Sequence, residues 1–374
     1  MVSKRVMSIK PSGVREIFEM ASRNAINLGL GELDCVPPVE AREAYKEALD
    51  KDCHRYGPTK GIDELRDLIA GKVQKYRKDI GRENVIITAS GTQGTMATFQ
   101  TLFDPGDEIL IPEPGFVLYE PDSMLAEAKP VPYPLLDEDG FQPDIEAMKE
   151  LITPRTKGLV VNSPSNPTGS VLTRENFQAL ADLATDNDLW VVSDEVYEDF
   201  IYDGKHHSFN ELIERSVVLN SFSKSFAVPG WRLGYLTAPL DLVNHIAKMQ
   251  YQLVACPPTT PQYAIAKVFD IQEKFTKDLN PLFRRRRDIM VDRLNDIEGF
   301  KCHRPEGAFY TFPSYEKDID SRKLSHTLVA NGVISAPGSA FGERGEGHLR
   351  FSYAASEESI EKGLEIVKKV VEGL

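Results

Sequence analysis

Three polar residues in the middle of this 374-residue chain fall at nearly equal intervals. Asn166 and Asp194 are 28 residues apart, and Asp194 and Lys224 are 30 apart. Each follows a short apolar run rich in β-branched residues, at 158–162, 189–193 and 217–220. About 30 residues is the length of one strand–helix repeat. The spacing therefore predicts equivalent positions on successive strands of a parallel sheet. In open α/β sheets ligands bind beyond the C-terminal ends of the strands, so three polar side chains placed there converge on one crevice.

Each has a chemistry that suits such a place. Lys224 lies in VVLNSFSKSFAVPGWRLGY among Ser221, Ser223 and Ser225, eight residues before Arg232. A lysine just past a buried strand costs desolvation unless its charge is neutralised or used. Desolvation lowers its pKa and suits a nucleophilic amine that condenses with an aldehyde. An ordinary surface-loop lysine would carry the same letters. Asp194, in LWVVSDEVY, ends a very apolar run. It fits an N-cap for the next helix and equally a counter-ion for a protonated ring nitrogen, with Tyr197 one helical turn on and facing the same crevice. Asn166, in VVNSPSNPTG, belongs to a turn by composition, and its amide is also free to donate to a ligand oxygen. In ITASGTQGT a strand gives way to a helix at Ser90, Gly91, Thr92 and Gln93. Free N–H groups, a glycine and hydroxyls make a phosphate seat there, although strand–Gly–helix joints are common.

The elements needed to hold these residues are legible. Further buried runs lie at Val85–Thr88, 108–112 and 233–237, and helix-like stretches at 92–103 and 173–187 separate them. This alternation predicts βα units around a mostly parallel sheet, an α/β fold. After about residue 280 the texture changes. A charged amphipathic helix at 282–297, alternating segments at 309–313, 333–337 and 348–353, and a last helix at 356–374 predict a smaller α+β domain. The length agrees with two domains, or one large domain and a smaller attachment, and a core of that size needs no disulfide. Arg284, Arg285, Arg286 and Arg287 invite a nucleic-acid reading. Consecutive helix residues are ~100° apart and Asp288 follows, so a solvated helix face is expected instead.

Other function classes fall away. With 57 acidic and 44 basic side chains the formal charge is -13, which argues against a general nucleic-acid binder but not against a local anion site. Cys35, Cys53, Cys256 and Cys302 form no CxxC pair, and the seven histidines form no HExxH or HxxxH. No zinc site is expected, and reduced thiols in a cytoplasmic protein are. No signal-peptide core and no apolar run of ~20 residues is present, so no membrane association is expected. The nucleotide fingerprint GxGxxG is missing, because Gly29, Leu30 and Gly31 lead into Glu32 with no third glycine. No GxxxxGK[ST] or GxSxG occurs either.

A phosphate seat, a lysine amine, an acidic partner and an arginine along one sheet edge match a pyridoxal-phosphate site. The segments NLGLGELD, RYGPTKG, SGTQGT, PEPGF, NSPSNPTG, VVSDEVYE, NSFSKSFAVPGWRLGY, PEGAFYTFP and LRFSYA together resemble the class I/II aminotransferases of the fold-type I pyridoxal-phosphate enzymes. The likeness is greatest to archaeal and thermophilic aspartate and aromatic amino-acid aminotransferases, and it runs almost end to end.

The resemblance implies a large cofactor domain at 46–280, with 1–45 and 281–374 forming an N-terminal arm and small domain. It makes Lys224 the Schiff-base lysine, Asp194 the partner of the pyridine nitrogen, and Asn166 and Tyr197 the partners of the ring hydroxyl. Phe116 stacks on the ring. Gly91, Thr92, Ser221 and Arg232 hold the phosphate, with Gln93 in the same turn. Tyr56 reaches the cofactor of a second subunit, implying a homodimer with shared sites. Arg350, helped by the backbone of Gly31, grips the substrate α-carboxylate. The activity implied is ping-pong transfer of an amino group from an aspartate-like or aromatic donor to a 2-oxo acid such as 2-oxoglutarate.

Two positions depart from the family pattern. Leu33 stands where a proline is usual, which is expected to loosen the loop beside the substrate. Thr92 stands where aspartate-type relatives often carry a basic residue, removing one anchor for a distal carboxylate. Rival readings are another pyridoxal-phosphate reaction, such as a β C–S lyase or decarboxylase, and a non-catalytic ligand-binding or regulatory protein.

Overall fold

A computed structural model describes residues 2–211 and 214–374. Its centre is a seven-stranded sheet with the spatial order Val85–Thr88, Gly234–Thr237, Ser216–Ser221, Trp190–Asp194, Thr156–Asn162, Glu108–Glu113 and Lys129–Pro134. Every neighbouring pair is parallel except the two made by Gly234–Thr237, which runs antiparallel to both its neighbours. The predicted apolar runs are these strands, to within a residue or two at their ends. The internal strands are buried on both faces over most of their length, Lys157 being the exposed exception, which is why they read as continuous rather than alternating runs.

The outermost strand, Lys129–Pro134, was not foreseen, because Pro130, Pro132 and Pro134 argue against a strand. All three occupy alternate positions, so their missing N–H groups fall on the free edge. The bonding edge is served by odd-numbered residues: Lys129 N donates to Asp107 O (2.7 Å) and Leu135 N to Glu113 O (2.9 Å). Proline is tolerated in a strand only at such an edge, where it also blocks pairing with another chain.

Helices cover both faces. Arg174–Asp186 is capped by Thr173, whose hydroxyl accepts from Asn176 N, and it buries Phe177, Leu180 and Leu183 against the sheet. Gly91–Leu102 starts directly behind the Val85–Thr88 strand. The C-terminal segments form small sheets. Tyr310–Thr311, Leu349–Ser352 and Ala336–Pro337 pair antiparallel, and Ile26–Asn27 pairs parallel with Val333–Ile334. Helices Gln272–Asn295, Ser321–Ala330 and Glu357–Glu372 close a buried cluster over them. That cluster takes in Tyr197 and Phe200, so it clamps the loop that follows Asp194.

The C-terminal half corrects two expectations. The charged helix begins at Gln272, ten residues earlier than its sequence signal, and carries Pro281 inside it. The proline masks the continuity because a helix-interior proline removes one backbone bond. The arginine run is not a solvated face. Arg284 and Arg285 are exposed, but Arg286 and Arg287 are buried. Arg287 bonds Asp203 (2.6 Å) and Pro305 O (2.9 Å), and Arg286 binds Asp34 through two parallel bonds of 2.8 and 2.9 Å. Leu33 packs its side chain into the C-terminal cluster, and Asp34 beside it is held bidentately. Among the described residues no helix is long and apolar enough to cross a membrane.

Candidate active site

The parallel strands end side by side. Asn162 is in register with Asp194, and Asp194 with Leu219. Beyond them lies a cavity of about 370 Å³ whose wall includes Asn166, Asp194 and Lys224. Residues at intervals of 28 and 30 in the chain are thus brought together by strand register alone. The Asn166 turn is fixed by Asn162, whose Oδ1 accepts from Asn166 N (2.8 Å) and whose Nδ2 donates to Asp194 O (2.9 Å).

Lys224 sits in a single helical turn, Phe222–Ser225, immediately after its strand. Ser221 caps that turn, accepting from Ser223 N at 3.1 Å. The ammonium donates to the Gly31 carbonyl. Burial lowers its pKa to about 8. Glu32 pulls the other way, and Arg350 and Arg232 add to the lowering. A lysine in this state is a nucleophile and a base near neutral pH.

Asp194 is buried, and Tyr119 donates its hydroxyl to Oδ2 at 2.8 Å. Its Oδ1 accepts from Val196 N at 3.3 Å, a local turn rather than a helix cap. Burial raises its pKa to about 6, against the lowering pull of Tyr119. Its acidic neighbours are differently placed. Glu195 meets the His206 ring at 2.9 Å and Glu198 meets Lys72 at 2.7 Å. No cation among the described residues forms an ion pair with Asp194.

Arg350, on the Leu349–Ser352 strand, is also buried and lines the cavity. Its Nη1 donates to Asn166 Oδ1 (2.9 Å) and Nη2 to Gly29 O, while the buried Nε has no partner among the described residues. Tyr197 is buried with its hydroxyl 2.8 Å from that of Tyr310.

At the other end, Ser90 caps the Gly91–Leu102 helix from a positive φ of 91°. Arg232 also has a positive φ, 55°, and among the described residues its Nη1 bonds Pro229 O alone (2.8 Å). Strained backbone at two non-glycine residues is tolerated where the surroundings impose it, commonly at a ligand site. Gly91, Thr92, Ser221 and Phe116 line the cavity with them. Gln93 does not. Its side-chain carbonyl turns back to accept from Ala89 N (2.9 Å), as a residue three places past a helix cap often does. Tyr56 stands outside, 93% exposed.

Among the residues that escaped the sequence reading are Tyr310 on the cavity wall, Tyr119 bonded to Asp194 without lining the cavity, and Ser12 and Arg15 at the mouth, from the helix Gly13–Met20 and its cap. The motif PEGAFYTFP contains Tyr310, and the PEPGF segment ends three residues before Tyr119, so both lay in or near recognised segments.

A nucleophilic lysine, a buried carboxylate lacking a cation and a strained anion seat, all at the C-terminal edge of an α/β sheet, define an enzyme built for a phosphorylated, ring-bearing carbonyl cofactor. The family described as aminotransferase class I and II matches residues 23–367. The chain is 42% identical to a probable aspartate aminotransferase of Methanocaldococcus jannaschii, over the whole of both chains. It is 37% identical to an aromatic-amino-acid aminotransferase of Thermococcus litoralis, covering 99% of this chain and 98% of that one. The solved aspartate aminotransferase of Thermus thermophilus with maleate superposes with a TM-score of 0.93 at 35% identity, covering 99% of each chain. The chain belongs to the class I and II aminotransferases and is a pyridoxal-phosphate-dependent aminotransferase.

The residues present fit that cofactor. Asp194 is a buried carboxylate with hydroxyl and N–H donors but no cation, the deficit that a protonated ring nitrogen fills. The exposed Arg232 guanidinium and the helix N-terminus at Ser90 suit a phosphate.

Proposed function

We propose that this aminotransferase exchanges the amino group of an acidic or aromatic L-amino acid with a 2-oxo acid such as 2-oxoglutarate, in two half-reactions at the one cavity. The observation that carries the reading is the pairing of a lysine of lowered pKa with a cation-free buried carboxylate on the same cavity wall. Relatives named for aspartate and for aromatic amino acids match over the whole chain at similar identity, which supports a donor range spanning both.

The residues divide the work. Bound pyridoxal phosphate supplies an aldehyde carbon and an electron-accepting ring that make the Cα proton of an amino acid labile. Arg350 holds the α-carboxylate through its unpartnered Nε and neighbouring nitrogens, with Asn166 and the Gly31 backbone beside it. Lys224 Nζ, on the wall of the same cavity, would take the Cα proton as a base and give it back as an acid, working near its own pKa. Asp194, held as the anion by Tyr119, would keep the ring nitrogen protonated. Asn166 and Tyr197 would hold the ring hydroxyl, and Phe116 would lie against the ring. The helix start at Gly91 and Thr92, with Ser221 and Arg232, would take the phosphate.

Arg15 at the mouth, now bonded to Glu19 at 2.8 Å, is the cation we assign to a distal carboxylate in place of the basic residue missing at position 92. The exposed Tyr56, with Tyr251, Leu253 and Tyr263 also exposed, supports a homodimer in which Tyr56 completes the partner's phosphate seat. The buried C-terminal cluster supports a small domain of 1–45 with 281–374 against a cofactor domain at 46–280. Four free cysteines fit a cytoplasmic setting.

The test is a donor screen with 2-oxoglutarate as acceptor, comparing Asp, Glu, Tyr, Phe and Ala, run on wild type and Lys224→Ala. Turnover of Asp and an aromatic donor by wild type, and of none by the variant, is expected. Normal turnover by Lys224→Ala would refute the assignment.

A further inference from the structure

We propose that Tyr310 is a positioning residue joining the two halves of the cavity: its hydroxyl orients Tyr197 on the ring side, and its aromatic face seats Arg350 on the carboxylate side. The inference rests on the site reading above.

Tyr310 is buried on the short strand Tyr310–Thr311, paired with the strand that carries Arg350. The Arg350 guanidinium carbon lies 4.5 Å from the Tyr310 ring centroid and 4.9 Å from that of Phe341, so two rings hold the cation. A desolvated cation–π contact of this kind is substantial and directional. It leaves Nε, which has no partner among the described residues, facing a carboxylate site. The Tyr310 hydroxyl also abuts Gly31, where an added Cβ would come within 1.8 Å of its oxygen. Gly31 is in turn the carbonyl partner of Lys224. Tyr310 thus touches Arg350, Tyr197 and the Gly31 backbone at once.

The ring alone explains the Arg350 seat, and phenylalanine would provide it. The hydroxyl needs its own reason, because a buried hydroxyl without a partner is costly. Its hydrogen-bond partner is Tyr197, 2.8 Å away. One bond between two hydroxyls uses one hydrogen. If Tyr197 gives its hydrogen to the ring oxygen of the cofactor, Tyr310 must give its own to Tyr197. That arrangement fixes the direction of the Tyr197 O–H and makes it a better donor through cooperative polarisation. Negative charge on the cofactor oxygen is then better supported.

The experiment uses holoenzyme of wild type, Tyr310→Phe, Tyr197→Phe and the double variant. Its readout is the pH titration of the visible absorbance of the bound cofactor, alongside KM and kcat for the amino acid. In Tyr310→Phe the titration midpoint should rise by roughly half to one pH unit, a three- to tenfold change on the scale of one buried neutral hydrogen bond. KM should stay within about twofold, since the ring under Arg350 remains, while kcat falls. Tyr197→Phe should shift the midpoint at least as far, and adding Tyr310→Phe to it should change nothing more, because the hydroxyl acts through Tyr197. A full additional shift in the double variant would overturn the inference. So would an unchanged midpoint in Tyr310→Phe with a shifted one in Tyr197→Phe, which leaves the site reading intact. If neither single variant shifts, the role given to Tyr197 fails and this inference fails with it.

Discussion

Replacing Lys224 by methionine should change how the stability of the cofactor-free protein depends on pH. In the folded protein burial depresses the ammonium pKa to about 8, with Glu32 opposing. In the unfolded chain it titrates near the ordinary lysine value of about 10.4. Between these two values the unfolded chain holds a proton that the folded one has released, so stability rises with pH. Well below pH 8 both states carry the charge, and the folded state bears the whole desolvation cost. Above about 10.5 both are neutral and the cost is gone. The stabilising contribution is therefore present at high pH and lost as pH falls through about 8. A displacement of roughly 2.4 pH units at ~1.4 kcal/mol each gives roughly 3–4 kcal/mol as an upper figure, and ~2 kcal/mol is a fairer expectation for a side chain that still borders an open cavity.

The assay is urea unfolding of cofactor-free wild type and Lys224→Met, at one protein concentration, from pH 7 to pH 10. Taking the difference between the two proteins cancels the buried tyrosines. The raised pKa values of Tyr119, Tyr197 and Tyr353, due chiefly to burial, work in the opposite direction at high pH. The wild type should gain on the variant by ~2 kcal/mol across that range. A difference that stays flat with pH would refute the claim that the amine is desolvated. The argument for Lys224 as a base working near neutral pH would go with it, since both rest on the same burial.

Two further variants probe the site's ends. Tyr119→Phe removes the 2.8 Å donor from Asp194, so the carboxyl, already raised to about 6 by burial, should rise further. Cofactor affinity should drop roughly 10- to 100-fold, the scale of one hydrogen bond to a charged group, and the pH below which binding weakens should move up; fluorescence titration of the cofactor between pH 5 and 8 reads both. Arg15→Ala should raise KM for dicarboxylic substrates by about tenfold while leaving alanine and aromatic donors within about twofold; equal effects on all donors would show that Arg15 does not meet a distal carboxylate.

The parts of this protein legible in its sequence are those whose cause is local. Buried parallel strands must be apolar on both faces, so the strands ending near Asn162, Asp194 and Ser221 announce themselves. The interval between them places Asn166, Asp194 and Lys224 on one edge. What stays hidden is pairing across the fold. Nothing near Tyr119 marks it as the donor to a carboxylate 75 residues on, and nothing near Tyr310 points to a hydroxyl 113 residues back. The arginine run misleads for the same reason. Charge repeats describe a solvated face only when no partner is waiting, and Asp34, 252 residues earlier in the chain, is waiting for Arg286. The prolines of the Lys129–Pro134 strand are a milder case, since their penalty depends on whether a neighbouring strand occupies the side they face.

Those hidden pairs are also what turns a sheet edge into a catalyst. Asp194 is useful because Tyr119 holds it as an anion without supplying a competing positive charge. Arg350 is useful because Asn166, Gly29 and two aromatic rings fix it while leaving Nε free. In both cases the partner orients a charge without neutralising it, and a charge left uncompensated in a buried cavity is stable only if the ligand it awaits brings the opposite sign.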